Sequence, residues 1–281
     1  GTAKTPAGTH LFQASDNPVL LVGDKAEVFH RMVMQLLYLC QRGRPDLRTA
    51  ISFLCQRTTA PDEDDYKKLK CVMQYLQADI DLKLVLSADG SGVVQWWVDA
   101  AYGVHFDMKS HTGGTLSMGK GLVYSFSGAQ KLVSWSSTEA ELIGVDDLMP
   151  QMMWTGYFLK AQGVAVVDTV LYQDNKSVML LEKNGRASSG KRTRHIDIRF
   201  YFVADRVKNG ELRIEHCPTK DMVADYFTKP LQGILFYKLR DQVMNIDSSS
   251  SYHSSQRSVL TGEDLEQTNP DIGLKEQQVT Q

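Results

Sequence analysis

The chain has 281 residues, with 31 Lys and Arg against 33 Asp and Glu, 42% hydrophobic residues and 9% aromatics. That balance excludes wholesale disorder, and no apolar run approaches the ~18 residues a membrane span needs. The Thr-, Lys- and Pro-containing start lacks the apolar stretch of a signal peptide, so an intracellular protein of one large domain or two smaller ones is expected. Cys40, Cys55, Cys71 and Cys217 sit among apolar neighbours without a C-x-x-C pair, which predicts buried thiols in a reducing compartment and no zinc site.

Residues 1–23 read as irregular, broken by Pro6, Gly8 and Pro18. Asp24-x-x-Glu27 has the form of a capping box, and Phe29, Met32, Val33, Leu36, Leu37 and Cys40 then recur at helical spacing until Gly43. A second helix carries Leu47, Ala50, Ile51, Leu54 and Cys55. A third opens in the acidic stretch Asp62 to Asp65, where negative charge suits a helix N-terminus. From Leu82 the period changes. Leu82, Leu84 and Leu86 alternate, and Val93 to Val98 suits a strand buried on both faces. Gly114 to Met118 and Leu122 to Phe126 read as strands around the turn Gly119-Lys120-Gly121.

Next come a helix from about Ser137 to Ala161, which Pro150 should kink or divide, a strand from Val166 to Gln173 and a helix from Asn175 to Glu182. A helix from about His195 to Lys208, a strand around Leu212 to His216 and a helix from Met222 to about Met244 complete the series. The order β-β-β-α-β-α-α-β-α implies an α/β fold, a mixed sheet flanked by helices. After Ile246 the Ser- and Gln-rich stretch has no sustained period and reads as a disordered tail. Between Lys176 and Lys220 eleven Lys or Arg face five acids, a pattern that suits a polyanion and equally suits a solvated helix face.

Two apolar strand runs end in an acid, Trp96-Trp97-Val98-Asp99 and Val170-Leu171-Tyr172-Gln173-Asp174. A carboxylate where a buried strand emerges is costly unless paired or bound to metal, and clustered carboxylates are relieved by a divalent cation such as Mg²⁺. Capping of the next helix by Asp174-Asn175 is the competing explanation for Asp174, and a plain loop position is the competing one for Asp99.

Several ordered motifs add to this: Val98-Asp99-Ala100, Ser110-His111-Thr112-Gly113-Gly114, Ser137-Thr138-Glu139-Ala140-Glu141-Leu142, Tyr172-Gln173-Asp174-Asn175, Arg194-His195-Ile196-Asp197-Ile198-Arg199 and Ala224-Asp225-Tyr226-Phe227-Thr228-Lys229. Together they closely resemble the ribonuclease H domain of copia-type retrotransposon polyproteins. Leu37-Tyr38-Leu39, Arg44-Pro45-Asp46-Leu47, Pro61 and Tyr75-Leu76 look like the thumb or connection segment that precedes that domain. The polymerase Tyr-x-Asp-Asp strand is missing. Pattern and resemblance together divide the chain into an irregular N-terminal segment (1–23), a small helical segment that resembles a thumb/connection remnant (24–86), a ribonuclease H-like domain with a mixed five-stranded sheet (92–244) and a tail (247–281) read from composition alone.

The resemblance implies a metal-dependent endoribonuclease that cleaves the RNA strand of RNA/DNA hybrids with two Mg²⁺ ions, Mn²⁺ being an alternative. It assigns Asp99, Glu141, Asp174 and Asp225 as catalytic and metal-holding residues, while Lys191, Arg192 and Arg194 in the basic stretch are the candidate phosphate contacts. A solvated loop explains those three basic residues equally on charge alone. Glu141 is preferred to Glu139 because Ser136-x-x-Glu139 has a capping-box form, although Thr138-x-x-Glu141 has it too. The implied partners are the hybrid and the upstream polymerase palm and fingers of the same polyprotein, with no membrane, in a cytoplasmic virus-like particle with a nuclear phase. The alternative is a non-catalytic hybrid-binding or connection module derived from a retroelement. His195 and His216 are left outside the catalytic set, and at least one of the adjacent Trp96 and Trp97 is expected in the core.

Overall fold

In the computed structural model of the chain, residues 1–179 and 194–246 are described, the latter without the side chains of 194–200. The most apolar run forms the central strand, β1 (Val93–Ala101). Its neighbours are β2 (His111–Ser117), β3 (Tyr124–Ala129), β4 (Asp168–Gln173) and β5 (Arg213–His216), in the order β3-β2-β1-β4-β5. The first three strands form an antiparallel meander, while β4 lies parallel to β1 and β5 parallel to β4. This mixed order is expected when a meander is followed by helical crossovers.

Because strand side chains alternate, β1 feeds two cores. On one face Val94, Trp96 and Val98 join Leu116, Leu171 and Ile214 beneath α4 (Ser137–Ala161) and α5 (Arg194–Lys208). Trp96 is therefore core, whereas Trp97 stacks on Tyr172 with ring centroids 5.1 Å apart. The other core joins α1 (Asp24–Arg42), α2 (Arg48–Arg57) and α3 (Glu63–Ala78) to the C-terminal elements through Leu47, Ile51, Phe53, Tyr75, Tyr226, Phe227 and Phe236. Residues 1–246 accordingly make one compact unit. Leu11 and Phe12 from the irregular start are buried in it.

The Asp62 to Asp65 stretch does cap α3: Asp62 accepts from the amides of Asp64 and Asp65, and the Asp65 carboxylate answers at the Asp62 amide. Other expectations change. Asp24 is not a cap, since Gly23 takes that place without a side-chain bond, and Asp24 and Glu27 instead lie in the first turn. The Leu82–Leu86 alternation does not make a strand; Leu82 and Leu84 pack on the helical core, and the Val85 amide bonds the Met244 carbonyl. Only Ser87–Ala88 pairs nearby, with Gly119–Lys120. Pro150 does not divide α4, which runs unbroken for 25 residues.

The helix expected from Met222 to Met244 is broken instead into α6 (Asp225–Thr228) and α7 (Gly233–Met244). Pro230 lacks an amide and forces Lys229 into extended backbone, which ends α6. The helix read over Asn175 to Glu182 begins at residue 176, and its remainder, the loop bearing Lys191 and Arg192, and the tail after Ile246 lie outside the described residues. Among the described residues no helix is long and apolar enough to cross a membrane.

Candidate active site

Asp99 lies near the end of β1 and is buried, with its side chain on the face that meets α6. Its cross-strand partner is Gly113 on β2. A Cβ at that glycine would stand 2.6 Å from Thr228 Cγ2 and 2.8 Å from the Ala224 carbonyl oxygen. Glycine at 113 is thus what lets α6 lie directly against the sheet, and α6 begins with Asp225. The neighbouring Gly114 faces Leu148 on the opposite side, where α4 packs. The Gly113-Gly114 pair therefore seats two site-bearing helices, one on each face.

Around Asp99 the contacts are short. Thr228 Oγ1 donates to Asp99 Oδ2 at 2.6 Å, and the Lys229 ammonium lies 2.6 Å from Asp225 Oδ1 and 3.5 Å from Asp99 Oδ2. Burial, and next the Asp99 charge, push the Asp225 carboxyl well above the usual carboxylate range against the pull of Lys229. Glu141 projects from the second turn of α4 and is pushed up to about 7, mainly by burial, with Asp99 and Asp174 adding to the rise. Its Oε1 accepts from Asn175 Nδ2 at 3.1 Å, while Oε2 is buried without a hydrogen-bond partner. Asp174, just past β4, accepts from Thr219 Oγ1 at 3.1 Å.

The neighbours of these acids show which residues serve the two helix starts. Asn175, not Asp174, caps the following helix, its Oδ1 accepting from the Ser177 amide at 2.9 Å. Glu139 serves the start of α4, where Glu139 Oε2 accepts from the Trp135 amide and Ser136 caps the Glu139 amide. Glu141 is left free of that role and electrostatically coupled to Asp99 and Asp174. Sequence reasoning missed Lys229, Thr228, Asn175 and Thr219 as parts of the site. For Thr228 and Lys229 the signal was present, since they stand three and four residues after Asp225, the spacing that places side chains on one helix face.

Of the proposed phosphate contacts, Lys191 and Arg192 lie outside the described residues, and Arg194 opens α5 with its side chain undescribed. The side chain of His195 is likewise undescribed, and His216 is exposed at the end of β5, beside Gln173.

The donor set fits a hard divalent ion in kind: buried carboxylate oxygens, two of them on acids whose charged form is disfavoured, and an orphaned Glu141 oxygen. In arrangement, no three Asp, Glu, His or Cys side chains among the described residues are drawn together as ligands of one ion. The Lys229 ammonium is the cation found between Asp99 and Asp225.

A five-stranded sheet with the order 3-2-1-4-5 in chain sequence, its first three strands antiparallel, and acids at the ends of its first and fourth strands define a ribonuclease H-like fold. No protein family model matches the sequence. The chain is 32% identical over 195 residues to the retrovirus-related Pol polyprotein from transposon RE2 of Arabidopsis thaliana, covering 69% of this chain and 13% of the relative. It is 28% identical over 209 residues to that from transposon TNT 1-94 of Nicotiana tabacum, covering 74% and 16%. The chain belongs with the Pol polyproteins of copia-type retrotransposons, in the reverse transcriptase/ribonuclease H region, and spans about one-seventh of the length of these relatives. Among solved structures, LC11-RNase H1 in complex with an RNA/DNA hybrid overlays with a TM-score of 0.36 and 11% identity, on 48% of this chain and 92% of its own. The strand order, not that overlay, defines the fold.

Proposed function

We propose that this chain is a ribonuclease H-type module that cleaves the RNA strand of RNA/DNA hybrids, with Asp99, Glu141, Asp174 and Asp225 as the residues that hold divalent metal. The observation that carries the reading is the Lys229 ammonium between Asp225 at 2.6 Å and Asp99 at 3.5 Å, with Glu141 and Asp174 coupled to them electrostatically and two of the four acids held above their ordinary pKa range. Mg²⁺, when bound, would activate a water and stabilise the leaving oxygen of a phosphodiester. The chain's own residues do the rest. Thr228 and Asn175 fix the rotamers of Asp99 and Glu141 through direct hydrogen bonds, and Thr219 does the same for Asp174.

Lys191, Arg192 and Arg194 belong to the basic stretch and would contact phosphates, setting register without reading sequence. RNA would be distinguished through its 2′-hydroxyl groups. The upstream polymerase palm and fingers of a longer polyprotein would supply the hybrid.

One observation favours a second reading, a hybrid-binding module without catalysis: Lys229 sits where a metal would be expected, and no three acids are set as ligands. The purified chain should be incubated with a hybrid labelled on the RNA strand, with Mg²⁺ and with chelator. Cleavage in Mg²⁺ alone that is lost in Asp99→Asn supports the nuclease. Binding of the hybrid without cleavage by the wild type supports the second reading.

A further inference from the structure

Lys229 stands between two of the site's carboxylates. Its ammonium bridges Asp225 at 2.6 Å and Asp99 at 3.5 Å, and its charge also couples to Glu141 and Asp174. Thr228, the preceding residue, donates to the same Asp99 oxygen that Lys229 faces. The Lys229 backbone is fixed as extended by Pro230, while 43% of its side chain stays exposed. Its anchor is rigid and its head is free to leave. One ammonium also supplies one positive charge to two buried carboxylates, so the pair retains an electrostatic demand that a divalent ion meets better.

We propose that the Lys229 ammonium is a tethered occupant of the cation position between Asp99 and Asp225, holding the two carboxylates together in the metal-free protein and leaving when a divalent ion binds there. The inference rests on reading this centre as a metal-binding nuclease site. It accounts for two facts together: the acids are near enough to perturb one another, yet no three of them are drawn in as ligands. Exchange of a flexible monovalent group for a divalent ion costs the Lys229 contacts, so the lysine weakens metal binding and sets the concentration at which the site loads.

The test is metal uptake without nucleic acid, measured on the full chain by calorimetry with Mg²⁺ and by the free-ion electron spin resonance signal with Mn²⁺. Lys229→Met should bind either ion about tenfold more tightly than the wild type, from the loss of a directly competing charge. Lys229→Arg, which keeps the charge, should bind no more tightly than the wild type. Lys160→Met, removing an exposed charge in the last turn of α4, far from Glu141 along that helix, should change affinity by less than about twofold, as expected for a screened remote charge. Should the Met variant not fold in chelator, Lys229→Gln, which retains a donor for Asp225, makes the same comparison. Unchanged or weaker binding in Lys229→Met and Lys229→Gln overturns the proposal, as does an equal gain in Lys229→Arg or in Lys160→Met. If neither the wild type nor any variant takes up either ion, the metal-dependent nuclease reading itself fails.

Discussion

The Tyr226 hydroxyl donates to the backbone carbonyl of Asp46 at 3.1 Å, and Thr49 Oγ1 returns a bond to the Tyr226 carbonyl at 2.7 Å. The residue next to Asp225 is thereby clamped by the helical first third of the chain. Asp46 is the centre of that clamp, taking two bonds from Arg44 at 2.9 and 2.8 Å and one from the Tyr75 hydroxyl at 2.9 Å, all buried. Asp46→Ala leaves the buried Arg44 guanidinium without its carboxylate, and it should destabilise the chain by about 3–5 kcal/mol. Because residues 1–246 form one unit, the loss should appear as a single lowered melting transition. Separate melting of a helical part and a sheet part would contradict the clamp.

Gly113→Ala should damage the site more than the fold. The added methyl meets backbone, the Ala224 oxygen at 2.8 Å and the Phe227 carbonyl carbon at 2.9 Å, so α6 must move away from β2. Overpacking of this kind costs about 1–3 kcal/mol. Moving Asp225 relative to Asp99 by a fraction of an ångström should lower hybrid cleavage by about a hundredfold in a chain that still folds. Gly114→Ala meets only the Leu148 side chain, which can rotate, and should be milder in the same paired assay of melting and cleavage.

These glycines show what the sequence made legible and what it did not. The order of strands and helices followed from periodicity and turn residues, and the acids at the ends of β1 and β4 from an apolar run closing on a carboxylate. Ser110-His111-Thr112-Gly113-Gly114 was visible only as a motif. Its reasons are tertiary: Gly113 admits α6, and the buried His111 bonds His105 at 2.9 Å and Ser127 at 2.7 Å. The Leu82–Leu86 alternation misled because its backbone partner is the end of α7, more than 150 residues on in the sequence. Lys229 was quoted within a motif without a role, since a lysine after a helical acid is usually a surface ion pair.

Glu141 gives a pH prediction. Its carboxyl rises from 4.5 to about 7 on folding, so between those values the folded chain binds more protons than the unfolded one. Its contribution to stability is then fully present below pH ~4.5 and is lost as pH climbs through ~7. Buried His111, held down to about 3 chiefly by desolvation, acts in the opposite sense below pH ~6.5. Comparing wild type with Glu141→Gln removes the histidine contribution, since both proteins share it. In chelator the variant should match the wild type near pH 5 and exceed it at pH 8 by on the order of 1–3 kcal/mol. A stability difference that does not change with pH would refute the assignment of that raised carboxyl.

Asp174→Asn separates the metal-holding role from local structure. Asn175 already caps the next helix, so the substitution leaves that cap untouched. Asn also retains an oxygen able to accept from Thr219 Oγ1, the contact seen at 3.1 Å. The fold should therefore survive, with a melting temperature within a few degrees of the wild type. If Asp174 holds metal, a neutral amide is a weaker ligand, and removing one negative charge from the set should lower Mg²⁺-dependent cleavage by about a thousandfold or more. If the basic stretch holds the phosphates, hybrid affinity should change little. The same assay with Glu139→Gln and Glu141→Gln should show near-normal cleavage in the first, whose carboxylate serves the start of α4, and loss in the second. Near-normal cleavage by Asp174→Asn would falsify its place in the site, and loss in Glu139→Gln with activity kept in Glu141→Gln would transfer the role to the other glutamate.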